Sequence, residues 1–183
     1  MSLIPSRRAL IDAISAYHST YPEEVSFRTE FLGLLTHPRA FFRDHLPGHI
    51  TGSCWILDRT HRCVLLTHHA KLNRWLQPGG HADGDEDILA VAMKEAQEET
   101  GLTSLEFASK KIFDLDIHPI PARKDFPEHR HFDVRVLMYA DLGEPFHVSE
   151  ESHGLAWVEI GRVHAVTKAN ASINRMVEKT RLL

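Results

Sequence analysis

The stretch MKEAQEETGL, Met93 to Leu102, sets Glu95, Glu98 and Glu99 beside one another, a few residues after the apolar run Ile88-Leu89-Ala90. At about 100° per residue, these three carboxylates cover roughly 100° of a helix circumference. Leu89, Ala92, Met93 and Ala96 occupy the adjoining face. One side therefore packs into a core while its rim is acidic. Carboxylates three and four residues apart have Cβ atoms about 5–6 Å from each other. Their repulsion is worth about 3 kcal/mol per contact at an effective dielectric near 20, and about 1 kcal/mol or less in water. Such a rim needs either full solvation or a cation.

The neighbouring residues decide between the two. From Gly80 the chain reads five residues, Glu86, seven residues, Lys94-Glu95, Ala96, Gln97, Glu98-Glu99, Thr100, Gly101, Leu102. This resembles the Nudix box, Gx5Ex7REUxEExGU, where U is a bulky apolar residue. The match runs over 23 consecutive residues and keeps every glutamate and glycine. WLQPGGH, ahead of it, is similar to the strand and loop that lead into the box. Two positions depart. Lys94 stands where the family has arginine and supplies charge without a forked contact. Ala96 replaces a larger apolar residue.

The resemblance implies an α/β fold, a Nudix-type α/β/α sandwich with a mixed sheet. It implies hard divalent cations, Mg²⁺ or Mn²⁺, on oxygen ligands. Glu95, Glu98 and Glu99 are then metal ligands, with the Gly79 carbonyl a further candidate. Glu86 braces the loop, Gly80 and Gly101 shape the ends of the motif, and Asp85 caps the helix. The implied reaction is attack of water on a pyrophosphate linkage, in a nucleoside diphosphate joined to another moiety. Glu98 is the first candidate for the general base. Glu150 and Glu151, in HVSEESHGLAWV, are the next, and Lys94 belongs to the same catalytic group. Two alternatives accompany the hydrolase: a non-catalytic nucleotide-sensing module, and an isopentenyl diphosphate isomerase. The isomerase needs a reactive cysteine just before the box, where this chain reads Gln77-Pro78-Gly79-Gly80.

Outward from the motif, the chain organises simply. SRRALIDAISAYHS has Leu10, Ile11, Ile14 and Tyr17 at helical spacing. Pro22 with Glu23 and Glu24 opens a second helix, and Pro38 a shorter helical stretch, PRAFFRDHL. HITGSCWILD and RCVLLTHH form a hairpin. RWLQPGGHADGDE starts apolar and runs into a loop, and DILAVAMKEAQEET is a helix closed by Gly101. LEFASKKIFDLDIHPI, EHRHFDVRVLMYADL and LAWVEI are strands, and NASINRMVEKTRLL is a closing helix. Residues 1–48 thus read as an N-terminal helical extension packed on the same domain, and 49–183 as the Nudix domain.

Histidine is abundant, with 14 residues against 10 glycines. His129, His131 and Asp133 recur at every second position of EHRHFDVRVLMYADL, on one side of a strand whose other side is apolar. They read as substrate contacts lining the cleft; HxHxD can also ligate a transition metal. His68, His69, His81 and His118 have no fixed place from sequence. Arg123, Lys124, Lys71 and Arg74 flank strands and can contact substrate phosphates.

The formal net charge of −4, without a basic tract, argues against a nucleic-acid polymer as partner. A small phosphorylated, nucleotide-type substrate needs only a few local cations. Cys54 and Cys63 lie in apolar runs without a CxxC and read as buried free thiols. No apolar run approaches transmembrane length, so neither a membrane partner nor a targeting segment is expected, and a cytoplasmic location is the default. Oligomeric state stays open, a homodimer included.

Overall fold

The computed structural model describes residues 2–123, 126–150 and 152–183. Helix α1 (Arg7–Ser15) begins at Ser6, whose side chain accepts from the Ala9 amide, and buries Leu10 and Ile14. Helix α2 (Pro22–Leu34) starts at a proline and carries Glu23 and Glu24 in its first turn, where the helix dipole favours them. Strands β1 (Gly48–Asp58) and β2 (Cys63–His69) follow, then the short β3 (Arg74–Leu76) and β4 (Gly79–His81). Helix α3 (Ile88–Thr100) holds the carboxylates. Two long strands, β5 (Glu106–Ile120) and β6 (His129–Ala140), and then β7 (Ser152–Glu159) complete the sheet. A 3₁₀ turn (Ile160–Arg162), α4 (Val163–Val166) and α5 (Ala171–Thr180) close the chain.

Among the described residues the sheet has seven strands, ordered β3-β2-β1-β6-β5, with β4 paired to β1 and β7 to β2. β2 is antiparallel to β1, β3 and β7.

The chain divides into two compact units. One contains residues 1–53, 80–92 and 110–136, so α1 and α2 belong to it. Its core includes Leu10, Ile14, Phe31, Phe41, Ile50, Ile88 and Leu115, all fully buried. Gly52 permits a close approach here: a Cβ on it would lie 3.0 Å from Ile88 Cδ1 and 3.2 Å from Val91 Cγ1. Glu24 is wholly buried and anchors α2. It accepts from the Tyr17 hydroxyl at 2.6 Å, the Ser19 hydroxyl and the Leu115 amide of β5 at 2.9 Å.

The second unit contains residues 54–79, 93–109 and 137–183. Trp55, Ile56, Leu65, Ala96, Met138, Ile173 and Met176 are fully buried in it. Trp55 Nε1 donates to the Thr180 hydroxyl at 2.8 Å, which joins α5 to β1. Asp58 organises the β1–β2 hairpin. It accepts from the amides of Thr60 (2.9 Å), Arg62 (2.8 Å) and Cys63 (2.6 Å), and from the Thr60 hydroxyl. Burial pushes its carboxyl up, but these donors pull it further the other way and leave it below its ordinary pKa.

Three readings of local structure change. PRAFFRDHL forms successive turns rather than a helix. The reason lies in its carbonyls: Arg7 takes those of His37 and Pro38, at 2.9 and 2.8 Å, and the Ile50 amide takes that of Ala40 at 2.8 Å. RWLQPGGHADGDE contains the two short strands β3 and β4, each of three residues. Cys54 is buried as expected, but Cys63 is only half-buried; neither is in a disulfide.

Candidate functional site

The second half of α3 carries three carboxylates on adjoining turns, and the chain on either side fixes their place. The amide of Gly79 donates to Glu99 Oε1 at 2.8 Å, so the loop before the helix is tied to the helix's last turn. Lys94 Nζ stands 3.7 Å from Glu95 Oε1 and 3.6 Å from Glu98 Oε2. These are ion pairs without the close, forked geometry an arginine would offer. The Glu95 side chain is 18% exposed and that of Glu98 is 59% exposed. One carboxylate is thus drawn toward the packed face and another stands in water.

The helix ends where the motif requires. Thr100 is buried and its hydroxyl donates to the Ala96 carbonyl at 2.6 Å. Gly101 takes φ +68°, and its amide donates to the Gln97 carbonyl at 2.8 Å. A Cβ on Gly101 would meet His147 Cβ at 2.9 Å, while the His147 amide donates to the Thr100 carbonyl at 2.7 Å. Glycine meets both demands, a left-handed φ and a neighbouring segment pressed against it. Ala96 is fully buried, so the small residue in place of the larger apolar one is part of the packed face.

At the helix start, Glu86 is engaged by Arg7 of α1. The Arg7 amide donates to Oε2 at 3.0 Å, and the guanidinium lies 2.9–3.0 Å from Oε1. The cap is Asp87 and not Asp85: Asp87 Oδ1 accepts from the Ala90 amide at 3.1 Å, three residues on, as an N-cap does. Asp85 instead accepts from the Asp87 amide at 2.9 Å, an Asx turn that positions the cap.

The other expected site residues are placed as follows. Lys71 is exposed in the β2–β3 turn and Arg74 is exposed at the start of β3. Glu150 lies in an exposed turn. Arg123 is exposed and its amide donates to the Phe126 carbonyl at 2.8 Å. Lys124 and Glu151 lie outside the described residues.

A second group of polar residues is gathered in the unit that holds α1 and α2. On β6, His129, Asp133 and Arg135 are all buried, and the other face is buried too from Phe132 to Ala140. Asp133 Oδ1 accepts from the Thr51 hydroxyl at 3.0 Å; Oδ2 accepts from the Ser53 hydroxyl and Arg135 Nε, both at 2.8 Å. Arg135 also reaches Asp114 at 3.2 Å and Asp116 at 3.0 Å. Burial works against its charge, but Asp116, Asp133 and Asp114 outweigh it and hold the guanidinium pKa above the ordinary value.

Beside this network the imidazoles assemble. His49 of β1 has its ring centroid 5.1 Å from that of His129, 5.0 Å from His131 and 5.2 Å from His81. His81 and His118 lie 4.9 and 5.5 Å from His131. His129 Nδ1 is 3.0 Å from the Pro127 carbonyl and His118 Nδ1 is 3.0 Å from Asp116 Oδ2. Nε2 of His131 is buried without a hydrogen-bond partner among the described residues; both ring nitrogens of His49 are buried as well, and its ring meets the backbone of His45. An unmet buried polar atom costs about 1–3 kcal/mol. Burial, followed by neighbouring imidazoles, pushes His49 down to about 4 and His131 to about 2, so both rings are neutral at pH 7. Of the histidines without a place in the sequence, His81 and His118 join this group. His68 instead stacks on Trp75, at 4.9 Å and 12°. His49 escaped sequence analysis altogether. It opens an apolar strand, and the only signal was the overall histidine count.

Comparison with known proteins bears on the carboxylate helix and the sheet. The family described as the NUDIX domain matches residues 47–179. Protein 080R of Invertebrate iridescent virus 3, whose name calls it a hydrolase, is 30% identical over 95 residues. That match takes in 49% of this chain and 39% of the viral protein, so the chain spans well under half of the length of this curated relative. Among solved structures, a Caenorhabditis elegans Ap4A hydrolase aligns over 73% of this chain and 95% of its own, with TM-score 0.55 and 17% identity. A NUDIX-family hydrolase from Clostridium perfringens covers 73% and 97%, with TM-score 0.55 and 23% identity. The Escherichia coli dihydroneopterin triphosphate pyrophosphohydrolase covers 73% and 96%, with TM-score 0.56 and 14% identity. At these identities the likeness is one of fold: a mixed sheet with flanking helices, the α/β/α sandwich.

Proposed function

The chain belongs to the Nudix family, and on that premise we propose that it is a metal-dependent hydrolase cleaving a pyrophosphate linkage in a nucleoside diphosphate joined to another moiety. Family membership supports a hydrolase. The finer reading is carried by one observation: Glu95, Glu98 and Glu99 crowd two turns of α3, with Glu99 pinned to the Gly79 amide and Lys94 as the nearby ammonium.

The donor set fits Mg²⁺ or Mn²⁺. It is all oxygen, and it concentrates three carboxylates against one lysine, a charge imbalance that a divalent cation relieves. Glu95 and Glu99 are the residues that would hold it, and Glu98 contributes a further oxygen. When bound, such a cation neutralises diphosphate charge, polarises phosphorus and lowers the pKa of a water. The chain's own groups do the rest. Glu98 extends into solvent and accepts the proton of the attacking water. The Gly79–Glu99 bond holds the loop in register with the helix, so the carboxylates keep their spacing. Lys94 offsets part of the negative charge before substrate arrives. Lys71 and Arg74 are exposed cations able to meet substrate phosphates, and Glu150 is the second candidate for the base.

The test is hydrolysis by the purified chain. The panel should include nucleoside diphosphate sugars, dinucleoside polyphosphates, nucleoside triphosphates and dinucleotide cofactors. Phosphate release is expected with Mg²⁺ or Mn²⁺ and is abolished by chelator. Glu98→Gln and Glu99→Gln should each lower kcat by about a hundredfold or more, the scale of a principal electrostatic or acid–base group. Near wild-type turnover in both variants on a good substrate would overturn the assignment. A panel without turnover, joined to tight nucleotide binding, would favour the sensing module.

A further inference from the structure

We propose that His49, His129 and His131 form a binding site for a transition-metal ion of the Zn²⁺ class, separate in its donor chemistry from the carboxylates of α3. One ligand atom from each of the three residues lies within 4.8 Å of the others. A tetrahedral ion with metal–nitrogen bonds of about 2.0–2.1 Å sets its donors roughly 3.4 Å apart. Small ring rotations, shared among three side chains, close that difference.

Three features of the group go beyond crowding. The first is orientation. The Pro127 carbonyl can only accept, so His129 Nδ1 must carry the proton, which leaves the Nε2 lone pair directed elsewhere. Outer partners of this kind fix the tautomer of ligating histidines. His118, beside His131, is held in the same way by the Asp116 carboxylate. The second is unmet capacity. Nε2 of His131 is buried and unpartnered among the described residues, and the backbone of His45 can engage no more than one of the two buried nitrogens of His49. Each neutral imidazole offers one lone pair, and a shared cation takes up one from each ring. The third is selectivity. The near donors are nitrogens, which suit Zn²⁺ and its neighbours far better than Mg²⁺. Asp133, the carboxylate in the same stretch, is already engaged by Thr51, Ser53 and Arg135. Three protein nitrogens leave a fourth position, which His81 or a water can fill. On this assignment His129 and His131 act through a metal and are not the direct substrate contacts expected from the strand pattern.

Co²⁺ is the probe, because its visible absorption reports ligand type and geometry without reference to activity. The 183-residue chain is stripped with chelator, then titrated with Co²⁺ and Zn²⁺, and its metal content and melting temperature are measured. One equivalent is expected to show the strong visible absorption of low-coordinate nitrogen ligation, distinct from the weak absorption of Co²⁺ held by the carboxylates of α3, and Zn²⁺ should displace it and raise Tm. His49→Ala and His131→Ala should weaken binding by about a hundredfold or more, at least the loss seen for outer-shell partners. Glu98→Gln should keep that strong absorption, whatever it loses at the carboxylates. Failure of the stripped wild type to develop that absorption with Co²⁺ would overturn the proposal even if a histidine variant cannot be folded. So would binding that survives both histidine substitutions and is lost in Glu98→Gln.

Discussion

At the scale of single residues, Lys94 and Arg135 show opposite uses of one positive charge. Lys94 is 64% exposed and stands between Glu95 and Glu98 at 3.6–3.7 Å, too far for a short hydrogen bond to either. Arginine at this position keeps the charge and adds planar, paired donors. Lys94→Arg is therefore expected to leave kcat/KM equal or improved on whichever substrate the panel identifies. A loss beyond tenfold would show that the ammonium has a role of its own. Arg135 is 2% exposed and faces three aspartates. Its removal strands buried negative charge, a change that typically costs 3–5 kcal/mol. Arg135→Met should lower stability to denaturant by about that amount. A midpoint within error of the wild type would show that the aspartates shed their charge or find other partners. The placement of Glu95, Glu98 and Glu99 on α3 and of Gly101 at its end was legible in the sequence because the motif has fixed spacing. Arg7 as partner of Glu86 was not, since 79 residues separate them and only tertiary folding joins them.

At the scale of elements, legibility followed how local the determining forces are. α1, α2, α3 and the β1–β2 hairpin are marked by caps, prolines, periodicity and turn residues close in sequence. PRAFFRDHL carried helix signals, yet carbonyls at His37, Pro38 and Ala40 went to partners from Arg7 and Ile50. Such competition is invisible to a local reading. β3 and β4 are three residues each and exist through their pairing with β2 and β1. The β1–β2 hairpin offers a test with a definite sign. Asp58 has its pKa lowered in the fold, so its contribution is present above the ordinary carboxylate range, about 4, and is lost as pH falls through its folded value. Asp58→Ala should cost about 1–3 kcal/mol at pH 7, as backbone donors lose their acceptor. The gap between variant and wild type should narrow on acidification below about pH 4. A gap that stays constant down to pH 2 would mean that the carboxylate charge contributes nothing to the hairpin.

At the scale of the molecule, the open matter is whether residues before the family match are an addition or a component. The match begins at residue 47. Residues 1–53 nevertheless share one compact unit with residues 80–92 and 110–136. Three ties bind the N-terminal part within that unit. Arg7 holds Glu86, the box's first glutamate. Glu24 accepts from the Leu115 amide of β5, and Glu30 pairs with Arg130 of β6 at 2.6 Å. Packing adds more. Ile4, Leu10, Ile14, Phe31, Leu35 and Phe41 are each at most 2% exposed. Phe31 also meets the Phe132 ring edge to face at 5.3 Å and 82°. Burying such side chains is worth roughly 1.5–3 kcal/mol each, so these six represent about 9–18 kcal/mol before entropy is counted. That is as large as the whole stability of a typical domain, about 5–15 kcal/mol. A chain that starts at residue 47 should therefore fail to melt cooperatively and should lose near-ultraviolet ellipticity, although it contains every box residue. Cooperative melting within a few degrees of the full chain would show that residues 1–46 are dispensable to the fold. It would also mean that Glu86 needs no partner from α1.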